Sequence, residues 1–218
     1  MKSLITSFAL VLSVFSITGC SDGPSGPHPT QELKVIYDRP PLTGVQIEVS
    51  ARMISGGDSV FMSSLAMPHD GVFGTSIYLS ASPVTSSGVP TLQLNFPKLP
   101  TAPGTYEFTA AEVKQGLLGL EPKSNQGAFV SIGGNLYAPV SGTITITEVR
   151  KDASFIYGYS GYVNGQLQAM WPKGFRPTAS QPFPPGFSIT APTLIGEKLT
   201  LHSASFKTRA TIAIPIPS

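Results

Sequence analysis

The chain has 218 residues and a formal net charge of +2, and only 12% of its residues are charged. No basic block is present, so the electrostatic footprint of nucleic-acid binding is missing, and a single cysteine excludes an intrachain disulfide. Hydrophobic residues make up 41%, which is not the composition of a disordered chain, and 22 glycines with 21 prolines suit many short strands joined by turns.

The first stretch sets a compartment. Lys2 precedes an apolar run from Leu4 to Ile17, which closes on Thr18-Gly19-Cys20. A basic start, an apolar middle and small residues before a cut site make a secretory signal peptide. A transmembrane helix is the competing reading. The run is shorter than the ~20 residues that cross a bilayer, Ser and Thr interrupt it, and no basic stop-transfer cluster follows. Ile17-Thr18-Gly19-Cys20 resembles the lipobox of bacterial lipoproteins. That resemblance implies a diacylglycerol thioether on Cys20, removal of residues 1–19 as the signal peptide, and an acylated new amino terminus. Ser21 stands where an Asp would favour inner-membrane retention, so the family's sorting rule implies the outer membrane. The membrane is then the first expected partner.

Residues 20–31, with SDGPSGPHPTQ after the cysteine, read as a flexible tether. His28 lies in it with no second metal ligand near. Residues 32–218 read as a single all-β domain without disulfides, large enough to hold a core by packing alone.

Strand signals follow in series. Leu33 to Tyr37 ends at Asp38-Arg39-Pro40-Pro41. Gly44 to Met53 alternates Val45, Ile47, Val49 and Ala51 against Gln46, Glu48, Ser50 and Arg52, the period-two pattern of a half-buried strand. Ser59 to Leu65, Val72 to Ser80 and Thr91 to Phe96 continue it, and Thr105 to Phe108 is brief. Thr109 and Glu112 then match a capping box, which predicts a short helix near 110–115 ending at Gly116. The competing reading there is a bulged loop.

Gly127 to Ile132 and Asn135 to Ala138 flank the Gly133-Gly134 turn signal. Thr143 to Thr147 then leads through an expected turn at Arg150-Lys151-Asp152 into Phe155 to Tyr159. The sequence SGTITITEVRKDASFIYGYSGYV over 141–163 resembles a hairpin of uncharacterised β-sandwich lipoproteins of Gram-negative bacteria, which implies fold and envelope location but no activity. Gln166 to Trp171 reads as one more strand. Pro172 to Pro192 holds six prolines including both ends and few ladder donors, so it reads as a long loop of the kind that is often functional. Glu197 to Leu201 and Ala204 to Ile214 close the sheet.

Chemistry-bearing motifs are scarce. No nucleophile elbow, zinc-ligand spacing, acidic calcium loop or phosphate loop is present. His69 sits beside Asp70 in a turn-like Pro68-His69-Asp70-Gly71, and His202 alternates toward solvent. Carboxylates stand singly, so no catalytic residue, metal ligand or cofactor is nominated. The remaining candidates are aromatic. Tyr157 and Tyr159 read as core. Trp171, Phe175 and Phe183, with Arg176 as a polar contact, frame the Pro-rich loop as a recognition surface.

The expected fold is an all-β antiparallel two-sheet sandwich, with a closed barrel as the alternative. The expected function is a lipid-anchored envelope binding or structural module with a protein or glycan partner. The alternatives are an envelope hydrolase whose site is assembled across loops, and a subunit of an outer-membrane pore, for which the strands are short and irregular.

Overall fold

Alternating apolar and polar residues become strand throughout the part of the chain that the computed structural model describes. That part is residues 30–52, 61–69, 74–82, 90–115, 120–153, 156–175, 178, 180–188, 190 and 192–212. The expected signal peptide, Cys20, the tether up to residue 29, Gly116, Phe155 and Arg176 lie outside it.

The strands are β1 (Thr30–Arg39), β2 (Leu42–Arg52), β3 (Phe61–His69), β4 (Gly74–Ser82), β5 (Thr91–Phe96), β6 (Gly104–Phe108), β7 (Glu112–Gln115), β8 (Leu120–Lys123), β9 (Gly127–Ile132), β10 (Asn135–Ala153), β11 (Ile156–Ala169) and β12 (Lys198–Ile212). There is no helix among the described residues. The protein is an all-β antiparallel sandwich. One layer pairs β2, β1, β12, β11, β10 and β6 in that order, and the other pairs β3, β4, β5 and β9. The layers meet where Asn135–Tyr137 of β10 pair with β9, and where Thr211 and Ile212 of β12 run parallel to β3. The latter contact is two residues long, and among the described residues β2 and β6 each pair on one side only. The expected alternative of a closed barrel therefore gives way to the sandwich.

The inward face of each layer is the apolar half of its alternation. Leu33, Val35 and Tyr37 of β1, Leu199 and Leu201 of β12, and Ile144 and Ile146 of β10 pack with Ile77 and Leu79 of β4, Leu92, Leu94 and Phe96 of β5, and Val130 of β9. Tyr159 fills the same core, as read from sequence, and its hydroxyl donates to the Pro100 carbonyl at 3.1 Å. Burial pushes its ionisation well above the ordinary tyrosine value. Tyr157 stacks beside it, half-buried, at 6.3 Å.

Several sequence expectations shift. Residues 110–115 give no helix: the Ala111 N–H donates to the Pro139 carbonyl at 2.8 Å, and β7 pairs with β8 as a separate two-stranded sheet. The expected turn at Arg150–Asp152 lies inside β10, where Arg150 pairs with Gly158 and Lys151 with Tyr157. Gln166 to Ala169 is the end of β11 and not a separate strand, while the two closing stretches form one strand, β12. Gln31, assigned to the tether, is buried in β1 and accepts a hydrogen bond from the Thr208 hydroxyl at 2.8 Å. His69 is the last residue of β3, paired with Gly74.

Long strands coil where glycines allow it. Gly142 and Gly165 face each other across β10 and β11 with φ of +155° and +150°. The Phe108 ring lies over both, so near that a Cβ on Gly142 would sit 2.6 Å from its Cζ. The aromatic takes the space that the two absent side chains leave.

Candidate functional site

β11 ends at Ala169 and β12 begins at Lys198, and the described residues between them form no strand. The two ends are nevertheless zipped into a neck. The Ala169 N–H donates to the Glu197 carbonyl and the Gly196 N–H to the Ala169 carbonyl, both at 2.9 Å, and the Ile195 N–H donates to the Met170 carbonyl at 3.2 Å. The Gln168 side-chain amide adds a bond to the Gly196 carbonyl at 3.0 Å. Gly196 is required by space: a Cβ there would collide with the Trp171 carbonyl and lie 2.6 Å from the Ala169 carbonyl oxygen.

Two tight turns shape the loop beyond the neck. In Pro172-Lys173-Gly174-Phe175 the Phe175 N–H donates to the Pro172 carbonyl at 3.0 Å, and Gly174 has φ of +81°. In Pro184-Pro185-Gly186-Phe187 the Phe187 N–H donates to the Pro184 carbonyl at 3.2 Å, and Gly186 has φ of +79°. Glycine at the third position with positive φ and an i-to-i+3 bond define a type II turn, and each turn delivers a phenylalanine at its fourth residue. Both rings pack on Trp171, Phe175 edge-on at 5.6 Å and Phe187 edge-on at 5.1 Å. Phe183 stacks on Phe187 at 5.4 Å and lies 6.3 Å from Trp171.

Trp171, Phe175 and Phe183 are thus brought together, as the sequence reading required of a shared surface. They do so by packing on one another rather than by splaying into solvent, and all three stay half-buried, apart from the main core. Phe187, which the sequence reading did not nominate as an anchor, completes the cluster. Its signal was present in the repeated Pro-x-Gly-Phe, whose turn chemistry fixes where the ring goes.

On one side of Trp171 lies a cleft of about 450 Å³, lined by Leu120, Pro122, Leu136, Met170, Trp171 and Phe175, with Pro172, Ala169, Asn135 and three glycines completing it. Its size falls in the ~300–1,000 Å³ range of small-ligand sites. Asn135 and the Trp171 indole N–H supply hydrogen-bonding side-chain groups, and no ionisable group is among the described lining residues. Leu136, on β10 just after the Gly133-Gly134 turn, is 47% exposed at its wall. Phe183 stands behind the cluster and does not line the cleft.

A polar tie fixes the neck from below. Glu197 accepts a hydrogen bond from the Tyr137 hydroxyl and lies 4.0 Å from the Arg39 guanidinium. Burial, and then the bond to Glu197, push the Tyr137 hydroxyl up to about 12. Arg39 is held above its ordinary value, first by the Tyr137 hydroxyl beside it. The preceding residue, Asp38, accepts from the Gly44 N–H at 2.6 Å and meets His202 Nε2 at 2.8 Å. The Gly44 bond and then His202 keep the Asp38 carboxyl below the ordinary range. His202 is exposed, as expected, but paired. Asp38 and Arg39 together tie β2, β12, β10 and the loop neck, a junction the sequence reading took only as the end of a strand.

A second cleft, of about 460 Å³, contains Glu107, Glu112, Lys114, Lys123 and Gln126 among its walls. Glu112 is engaged by Lys114. Among the described residues no group of three or more His, Cys, Asp or Glu is placed to hold a metal ion, and no helix is long and apolar enough to cross a membrane. No family model, curated protein or solved structure matches the chain.

Proposed function

We propose that the chain is a lipid-anchored binding module of the bacterial cell envelope, held in the outer membrane through Cys20, with the cleft beside Trp171 as its recognition surface. One observation carries the assignment of the surface. A loop locked at its neck and at both proline turns holds Trp171 and Phe175 half-exposed along a cleft with no charged side chain among its described lining residues. A rigid frame loses little entropy on binding, and aromatic rings give contact area at low rotamer cost. The position fits an anchored module. Arg39 sits under the neck, and β1 runs ten residues back from it to Thr30, roughly 30 Å away. In this reading the described domain joins its membrane tether at Thr30, the end of β1 away from the cleft.

An envelope hydrolase is the second reading, favoured by Glu107 and Glu112 in one cleft. Lys114 neutralises Glu112, and no histidine is among the described residues that line that cleft, so binding is preferred.

Retention on an isolated envelope fraction tests the assignment, using a form whose Cys20 is replaced by Ser so that lipid does not hold it. Leu136→Asp should release the protein. Tyr162→Asp, at a residue 41% exposed outside the cleft, should not. Equal release by both variants, or by neither, refutes the cleft as the recognition surface.

A further inference from the structure

Resting on that reading, one wall of the Trp171 cleft is built unlike the others. Asn135 and Leu136 belong to β10 and Ala169 to Phe175 to the zipped neck and its first turn, whereas Leu120 and Pro122 belong to β8. We propose that β7 and β8 form a hinged gate, which swings as one piece about roots at Ala111 and Ser124 to open or close the cleft.

The register gives this ribbon two unlike faces. Glu112 pairs with Lys123 and Lys114 with Glu121, so these four side chains share one face, while Val113, Gln115, Leu120 and Pro122 share the other. Leu120 and Pro122 line the Trp171 cleft, and Glu112, Lys114 and Lys123 line the polar cleft of about 460 Å³. A third cleft, of about 470 Å³, separates Val113 and Lys114 from Pro192, Thr193 and Leu194 of the loop. The ribbon therefore borders open volume on both faces and along its β7 edge. Ile77, Leu92 and Val130 in the main core, by contrast, are fully buried.

The roots are firmly held. At one, the Ala111 N–H donates to the Pro139 carbonyl at 2.8 Å. At the other, the amide of the buried Asn95 donates to the Ser124 carbonyl at 2.8 Å, and the Ser124 hydroxyl donates to the Gln126 carbonyl at 2.7 Å. The Pro139 ring also closes on Gly127, where a Cβ would stand 2.8 Å from its Cγ. One residue of β10 thus braces both roots. The span between them is a sheet of two strands, an arrangement that is marginally stable by itself. Val113 is buried yet lies outside the main core cluster, so its packing holds the span down without joining it to that core. Firm roots and a lightly held span let a few terminal residues absorb a rotation.

The ribbon is the shared wall of two clefts, so a swing toward Trp171 narrows the aromatic cleft and widens the polar one. Leu120 and Pro122 then close toward the Trp171 and Phe175 rings and take apolar surface from water. The reverse swing admits an occupant. Opening disturbs the ribbon's own contacts and leaves the core intact, as lids drawn from the least stable part of a fold do.

Hydrogen exchange on the full-length protein in lipid nanodiscs tests the gate, together with acrylamide quenching of Trp171, the chain's single tryptophan. Amides of 112–115 and 120–123 are expected to exchange as a group, about tenfold faster than those of β5 and β9, at a rate that urea below the unfolding transition leaves unchanged. Val113→Ala loosens the span, and Ala111→Pro removes the donor at one root. Each should speed ribbon exchange about tenfold and raise the acrylamide quenching constant of Trp171, with the melting temperature within about 2 °C of wild type. Ile77→Val in the main core should do the reverse, lowering the melting temperature while ribbon exchange and quenching stay as they were. Ribbon amides that follow β5 and β9 in rate and in urea dependence overturn the gate, because the ribbon then opens only with the core. Faster ribbon exchange in both variants with unchanged quenching of Trp171 also overturns it, because the ribbon then moves without opening the cleft. None of these readouts involves the envelope. Recognition by the cleft is decided separately, by the retention comparison of Leu136→Asp with Tyr162→Asp.

Discussion

Gly196→Ala attacks the neck at the point where backbone approaches backbone. The new methyl would collide with the Trp171 carbonyl and stand 2.6 Å from the Ala169 carbonyl oxygen and 2.7 Å from the Ala169 Cβ. None of these atoms is the tip of a movable side chain, so the neck must open. Inserting a group into filled space costs about 1–3 kcal/mol. Opening also strains the bonds from Gly196 to Ala169, from Ile195 to Met170 and from Gln168 to Gly196, each worth about 0.5–1.5 kcal/mol net. With partial loss of these, the substitution should cost about 2–5 kcal/mol, or a drop in melting temperature of about 5–15 °C for a chain of this size. Gly174→Ala is the control. Its φ is +81° but nothing lies within 4 Å of the added methyl, so only the backbone conformation is penalised, by about 1–2 kcal/mol. Thermal unfolding read by circular dichroism gives the stability, and Trp171 emission gives the local state. Gly196→Ala should show the larger melting shift and a red-shifted native spectrum. If it matches wild type, or Gly174→Ala, the neck is not the close-packed hinge described.

Two further outcomes follow from the same geometry. Tyr137 keeps its proton in the folded protein to about pH 12, whereas an ordinary tyrosine loses it near 10, so the folded state binds the proton more tightly. Its contribution is full below about pH 10 and falls as pH rises toward 12, by about 2–3 kcal/mol. Denaturant unfolding across that window should show a steeper slope in wild type than in Tyr137→Phe, the raised Tyr159 supplying the slope that remains. In the loop, Phe183→Ala should cost about 1–2 kcal/mol, the worth of a half-buried stacked pair, whereas Phe96→Ala in the main core should cost about 3–5 kcal/mol. Equal melting shifts would make the loop a lid on the core.

Strands whose polarity alternates and whose turns carry glycine were legible. Thr91 to Phe96 and the Gly133-Gly134 hairpin stand where the sequence put them, because Leu92, Leu94 and Phe96 alternate into the core and two glycines of positive φ close the turn. Arg150, Lys151 and Asp152 read as a turn because they are polar, yet an outward-facing strand tolerates charge and β10 runs through them. Thr109 and Glu112 form a capping box only if the backbone between them has no better partner, and Pro139 and β8 supply one. The tie from Arg39 to Glu197 spans most of the chain, so neither residue announces the other. The aromatic cluster was half legible. Ring content and proline marked the loop, while the Pro-x-Gly-Phe pair, which fixes Phe175 and Phe187 on Trp171, carries its information in turn geometry rather than in composition.

Hydrogen–deuterium exchange on the full-length protein tests the central claim without presupposing the ligand. Exchange is compared between protein in its native envelope and protein purified into nanodiscs. Occupation of the cleft predicts protection in the envelope at 133–137 and 169–175, with β2 and β6 unchanged. Protection along the β2 or β6 edge, with none beside Trp171, would show that partners dock on the sheet and would contradict the assignment of the cleft as the recognition surface.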